Sequence, residues 1–208
     1  MYLYILHYIY LTVKQMIAPK EIKELVANYL SISDGLANEL AAIATLVHYK
    51  KNDTIYVANE ITSTVGFIKS GLVHSFVYDF NKHPKTVWFG EPGDFITSFH
   101  AFFTNNPGIE TIQCIEPTTV VQFESHAFKA LTQKNPEMLL LYSKILEECC
   151  LFWENRYIIN QINEAEERYA DFYYRAKEMI IRIPLKLLAS YLNIRQETLS
   201  RIRKNWLK

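Results

Sequence analysis

The run RQETLSRIRK, Arg195 to Lys204, places hydrogen-bonding side chains at helical spacing near the C-terminus. As a helix from Gln196 to about Lys204 it turns Gln196, Glu197, Ser200, Arg201 and Lys204 to one side and Leu199 and Ile202 to the other. These groups suit base edges in a major groove. A guanidinium takes the two acceptors of guanine, a glutamine amide pairs with adenine, and a carboxylate accepts from the cytosine amino group. Arg195, Arg203 and Lys204 suit phosphates, which position without specifying, and Thr198 belongs to the same candidate surface. Any two-helix hairpin also has an apolar inside and a charged outside, so the polar row must be weighed with the elements that hold it.

Those elements are expected within Leu185 to Ile202. One helix runs from Pro184, at a first-turn position where its missing N–H costs nothing, to about Leu192, and the second starts at Gln196. Leu188, Leu192, Ile194, Leu199 and Ile202 form the shared apolar face, Ala189 is small where the helices cross, and Asn193 sits at the sharp turn. Asparagine tolerates a left-handed backbone better than most residues. The spacing is that of a helix-turn-helix.

Charge supports this locally and not globally. The chain has 22 Lys and Arg against 22 Asp and Glu, so its net charge gives no reason to expect a polyanion partner. From Arg175 onward there are nine basic residues and two acidic ones, Glu178 and Glu197.

The rest reads as an α+β chain with ample apolar content, 50%, for a core. Two helices are expected from about Ala18 to Val47. The first presents Ile22, Leu25, Val26 and Tyr29, and the second, capped by Asp34, presents Leu36, Leu40, Ile43, Ala44 and Val47. Short β-rich runs then follow as far as Glu124, broken at Asn52-Asp53, Ser70-Gly71, Asn81-Lys82, Glu91-Pro92-Gly93-Asp94, Asn105 to Gly108 and Glu116-Pro117, the pattern of a sandwich or jelly roll. Asn135-Pro136-Glu137 signals a long helix. Its residues Met138, Leu141, Ile145, Cys149, Phe152, Arg156 and Ile159 form a seam suited either to a partner helix or to the β domain. Asn163 has the spacing of a reciprocal cap for a further helix through about Lys177. The expected division is residues 18–134, 135–162 and 163–208.

The order of parts, with IKSGLV, EPGDFI and the terminal EERYADFYYRAKEMIIRIPLKLLASYLNIRQETLSRIRK, resembles the Crp/Fnr superfamily of bacterial transcription regulators, especially the branch found in Bacteroidetes. The resemblance runs from about Lys20 to the end. It implies a jelly roll of the cyclic-nucleotide-binding type, a homodimer through residues 135–160, and a palindromic double-stranded DNA operator read by Gln196, Glu197 and Arg201. It further implies a small-molecule effector and RNA polymerase as partners. Members that bind cyclic AMP follow GDF with Gly-Glu-Leu and later an Arg-Ser pair. Here Thr97 and Ser98 stand where Gly and Glu are expected, and Ile109-Glu110 fall near the pair. No basic residue other than histidine lies between Lys85 and Lys129, so a buried phosphate would meet Glu110 without a cation, and cyclic AMP is not expected to bind. The candidate effector pocket comprises Phe95, Thr97, Ser98, Phe99, Ile109, Glu110 and Thr111; with Phe102 and Phe103, its phenylalanines either receive a less charged molecule or, the favoured reading, fill the space themselves. Relatives commonly add a β-hairpin wing after the recognition helix. The chain stops two residues after Trp206, so fewer phosphate contacts and a lower affinity are expected.

Other chemistries find little support. Six histidines, His7, His48, His74, His83, His100 and His126, have no ligand spacing, and no cofactor, metal or catalytic set is expected. Cys114, Cys149 and Cys150 are too few for a four-cysteine cluster and form no disulfide framework, which fits a reducing cytoplasm. The apolar N-terminal run is too short for a bilayer span. Residues 1–15 are read as an added packing helix or a consequence of start-codon choice. Two rival readings remain: a signalling or protein-interaction module whose two-helix end does not bind DNA, and a cupin-like enzyme.

Overall fold

A computed structural model of the chain describes residues 16–162 and 164–206. The expectations for residues 1–15 and for Asn163 therefore fall outside the described residues. Helix α1 (Pro19–Val26) starts with proline at a position that needs no N–H donor. Helix α2 (Asp34–Ile43) is capped by Ser33, not Asp34, with the Ser33 hydroxyl accepting from the Leu36 N–H at 3.2 Å. Asp34 is the first helical residue, where its charge suits the helix dipole, and it pairs with Lys23 at 2.7 Å.

Ala44 and Val47, expected on that helix, belong instead to strand β1 (Ala44–Tyr49). The apolar run before Tyr49 fits either period, and strand β8 (Thr118–Glu124) decides the matter through an antiparallel register from Ala44 opposite Phe123 to Tyr49 opposite Thr118. The remaining strands are β2 (Thr54–Tyr56), β3 (Thr64–Ser70), β4 (Val73–Tyr78), β5 (Pro84–Gly90), β6 (Phe95–Ile96) and β7 (Thr111–Cys114). They form two four-stranded antiparallel sheets, ordered β1-β8-β3-β6 and β2-β7-β4-β5, as expected of a jelly roll. The runs expected as strands are all present; β6 and the short helix α3 (Phe99–Thr104) are additional.

Between the sheets lie Tyr56, Ile68, Val73, Ile96, Ile112 and Val120. A larger cluster joins Phe67, Phe95, Phe123 and Phe128 to α1, α2 and the long helix. The glycines of IKSGLV and EPGDFI have a physical reason. Gly71 and Gly93 adopt φ of 101° and 97°, and a Cβ on Gly71 would lie 2.6 Å from the Thr118 Cα.

Helix α4 (Ser125–Lys134) leads into α5 (Pro136–Ile162), whose first turn is capped as expected. The Asn135 side-chain oxygen accepts from the N–H groups of Glu137 and Met138 at 2.9 and 3.3 Å. The first half of the α5 seam packs within the chain: Met138, Leu141 and Ile145 are completely buried in the large core cluster, with Cys149 against it. Helix α6 (Ala165–Arg175) is preceded by Glu164, whose N–H donates to the Glu167 carboxylate at 3.1 Å; the cap sits one residue after the expected Asn163. Helices α7 (Leu185–Tyr191) and α8 (Gln196–Trp206) complete the described chain. Among the described residues no helix is long and apolar enough to cross a membrane.

Candidate nucleic-acid interface and ligand cavity

The α7–α8 pair closes as the spacing predicts. Leu188, Ala189, Leu192, Leu199 and Ile202 are buried together. Asn193 takes φ of 55°, and across the turn the Ile194 N–H donates to the Ala189 carbonyl at 3.0 Å. Pro184 stands one residue earlier than expected: its backbone is extended, and its carbonyl accepts the first helical hydrogen bonds from Leu187 and Leu188.

Along α8, Gln196, Glu197, Ser200, Arg201 and Lys204 are exposed, as is Arg195 before it. No other described residue engages Gln196, Glu197 or Arg201, so their donors and acceptors face solvent. Thr198 and Arg203 are half-buried, and Arg203 lies beside the Tyr169 hydroxyl, which takes it partly out of the row.

The pair is seated on strand β5. The Tyr191 ring is buried between Phe89 and Phe172, at centroid distances of 5.1 and 5.0 Å. The Arg156 guanidinium stacks 3.7 Å above Tyr191 and donates to its carbonyl. Arg168 donates to the Leu192 carbonyl at 3.0 Å, and the Thr86 N–H donates to the Ser190 hydroxyl at 3.0 Å. Arg156, read from the sequence as part of the α5 seam, is therefore the link between α5 and α7.

A cavity of about 320 Å³ lies between the jelly roll and α5. Of the expected pocket residues, Phe95, Thr97, Phe99 and Glu110 line it. Ser98 does not: it is buried against Gly108, and its hydroxyl has no partner. Ile109 projects outward, 65% exposed, and the Thr111 hydroxyl accepts from the Ala58 N–H at 3.1 Å. The aromatic side chains do not fill the space, contrary to expectation. Phe102 turns into the core toward Phe128 and Tyr142, while Phe103 is exposed and stacks on Phe99.

The rest of the wall includes Tyr29, Trp88, Asp94, Glu148, Phe152 and Trp153, which sequence reasoning did not bring together. Asp94 was visible inside EPGDFI as a turn residue. It also caps its own turn, accepting from the Glu91 N–H at 2.8 Å. Burial, reinforced by nearby Glu91, pushes the Asp94 carboxyl up to about 7. Burial likewise raises Glu110, partly offset by the hydrogen bond it accepts from Ser75. Cys149 is pushed up to about 11 by burial, so its thiol stays protonated near neutrality. Among the described residues no group of three or more His, Cys, Asp or Glu could hold a metal ion.

Residues 46–135 match the family model described as cyclic nucleotide-binding domain. FixK2 from Bradyrhizobium japonicum is 19% identical, with a TM-score of 0.69 over 78% of this chain and 84% of its own. The c-di-GMP responsive global regulator CLP from Xanthomonas campestris is 12% identical, with a TM-score of 0.69 over 84% of this chain and 92% of its own. A CooA mutant from Carboxydothermus hydrogenoformans is 19% identical, with a TM-score of 0.66 over 94% of this chain and 85% of its own. No curated protein matches by sequence. The β domain therefore matches the cyclic nucleotide-binding domain over residues 46–135, and the fold of the chain is that of FixK2, CLP and CooA.

Proposed function

We propose that the chain is a homodimeric, sequence-specific DNA-binding transcription regulator, working in the cytoplasm as a binding protein rather than an enzyme. The observation that carries this is the outward row on α8, held by a buried hairpin core, in which no other described residue engages Gln196, Glu197 or Arg201. Gln196, Glu197, Ser200 and Arg201 reach base edges, with Thr198 at their margin. Arg195, Lys204 and, more weakly, Arg203 hold phosphates.

In this reading residues 18–134 are the sensor, 135–162 the dimer helix and 163–208 the DNA-binding unit. The dimer face is the outward side of α5, where Leu139, Trp153 and Tyr157 are exposed beside Leu146 and Cys150. Trp153 stands on both this face and the cavity wall, which gives a bound effector a route to the dimer. Cyclic AMP does not fit that cavity in this reading, because among the described residues no lysine, arginine or histidine lines it. RNA polymerase is the remaining partner of the proposal.

Capture of genomic fragments on the purified protein tests the reading. The wild type is expected to enrich a palindrome whose half-sites lie about one helical turn apart. Arg201→Ala is expected to lose preference at one base pair of each half-site by roughly tenfold or more, while retaining weak, salt-sensitive binding. Identical fragments retained by both proteins, or none enriched by the wild type, would overturn it.

A further inference from the structure

We infer that the cavity between the jelly roll and α5 binds a compact organic cation with an apolar body, of the arylalkylammonium class. This deepens, and rests on, the reading of that cavity as the effector site. Acidic residues from three separate elements line it: Asp94 from the β5–β6 turn, Glu110 from the entry to β7, and Glu148, itself exposed, from α5. Six aromatic rings, among them Trp88, Phe152 and Trp153, supply the remaining faces. Among the described residues no lysine, arginine or histidine lines the wall, and Lys69 in the adjoining hollow is held by Glu21 at 2.5 Å.

An anion entering this space would lose hydration and meet Asp94, Glu110 and Glu148 with no cation among the described lining residues. An ammonium group would gain both a countercharge and ring faces, a combination worth more as water is excluded. A bare metal ion fits less well, since no described cluster of acidic, cysteine or histidine residues could hold one. The volume, about 320 Å³, lies near the lower end for ligand sites and suits one small molecule. The raised affinities of Asp94 and Glu110 for protons add a signature: a bound cation favours their ionised forms, so binding releases protons to the buffer. The consequence for DNA follows from α5 itself. Phe152 lines the cavity, and Arg156, one turn further along, stacks on Tyr191 of α7.

Calorimetry and tryptophan fluorescence on the full chain test the inference, with phenethylammonium, neutral 2-phenylethanol, anionic phenylacetate and cyclic AMP as probes. Phenethylammonium is expected to bind at least about tenfold more tightly than 2-phenylethanol, a difference of about 1.4 kcal/mol, with proton release and with no binding of either anion. Asp94→Asn and Glu110→Gln are expected to remove most of that preference and leave 2-phenylethanol binding unchanged, which also reports an intact cavity. The inference falls if the cation binds no more tightly than the alcohol, if cyclic AMP binds more tightly than the cation, or if no probe saturates by millimolar concentration. Fragment capture on the same preparation judges the regulator reading separately: enrichment without cation binding sinks the ligand class alone, and cation binding without enrichment sinks the regulator alone.

Discussion

Along α8 the charged side chains leave a buried apolar face and end in solvent, whereas in the half-open cavity the acids Asp94 and Glu110 are withdrawn from water. The first arrangement is electrostatically cheap, because water solvates Arg201 and Lys204. The second is costly in the free protein, because Asp94 and Glu110 lose water and gain no cation. The difference separates two kinds of charged surface. One is solvated at little cost in the free chain, and the other holds electrostatic tension.

The largest test of this contrast is Asp94→Asn. A carboxyl held at about 7 in the folded chain, against 3.8 ordinarily, binds its proton more tightly when folded than when unfolded. Its contribution therefore favours the native state at low pH, declines as pH rises from about 4 to 7, and stays unfavourable above that. At about 1.4 kcal/mol per pH unit this amounts to as much as ~4 kcal/mol. Asp94→Asn is expected to melt at a higher temperature than the parent at pH 8 and at nearly the same temperature at pH 4. Glu110 leaves a smaller residual slope of the same sign. Superimposable melting curves at pH 8 would show that the cavity acids carry no such tension.

The second test concerns what joins the two regions. Phe89 is buried against both Phe172 and Tyr191, so its ring fills the junction between β5 and the α6–α7 helices. Phe89→Ala is expected to cost about 3 kcal/mol in denaturant unfolding. Amide exchange should accelerate through α6 and α7 more than in α8, whose Leu199 and Ile202 keep their contacts with the α7 core. Uniform acceleration across the whole chain would mean that the junction is not a separable element.

The same contrast explains what could be read in the sequence. The α7–α8 unit lies within one continuous segment, so 3.6-residue periodicity, Ala189 and the left-handed Asn193 were enough to place its core and its outward row. The jelly roll was legible in its strands because turn residues punctuate them, while Ala44 to Val47 could be assigned only once β8 supplied a pairing partner. The cavity was the least legible part. Its wall gathers residues from Asn28 to Trp153, and no local pattern announces that Trp88 and Glu148 will face one another's neighbourhood. Phe95, Phe99 and Glu110 were found because a motif resemblance pointed there. The turn away of Phe102, which leaves the space open, depends on packing against α4 and α5.

The smallest expected effect tests the two faces of α5 against each other. Leu139, Leu146, Cys150, Trp153 and Tyr157 recur at three-, four- and seven-residue steps on the side away from Met138, Leu141 and Ile145. The inner seam is satisfied within the chain; the outer stripe leaves Tyr157 68% exposed among other apolar side chains. Tyr157→Glu places a charge on the outer stripe without touching the core, so the fold should keep its melting temperature. Self-association is expected to weaken about tenfold or more, some 1.4 kcal/mol, in sedimentation velocity over a concentration series. Phe152→Leu, on the cavity side, is the matched control and should leave the association unchanged. Equal weakening by both would place the contact elsewhere, since a single helix cannot present residues 152 and 157 to the same partner face at 100° per residue.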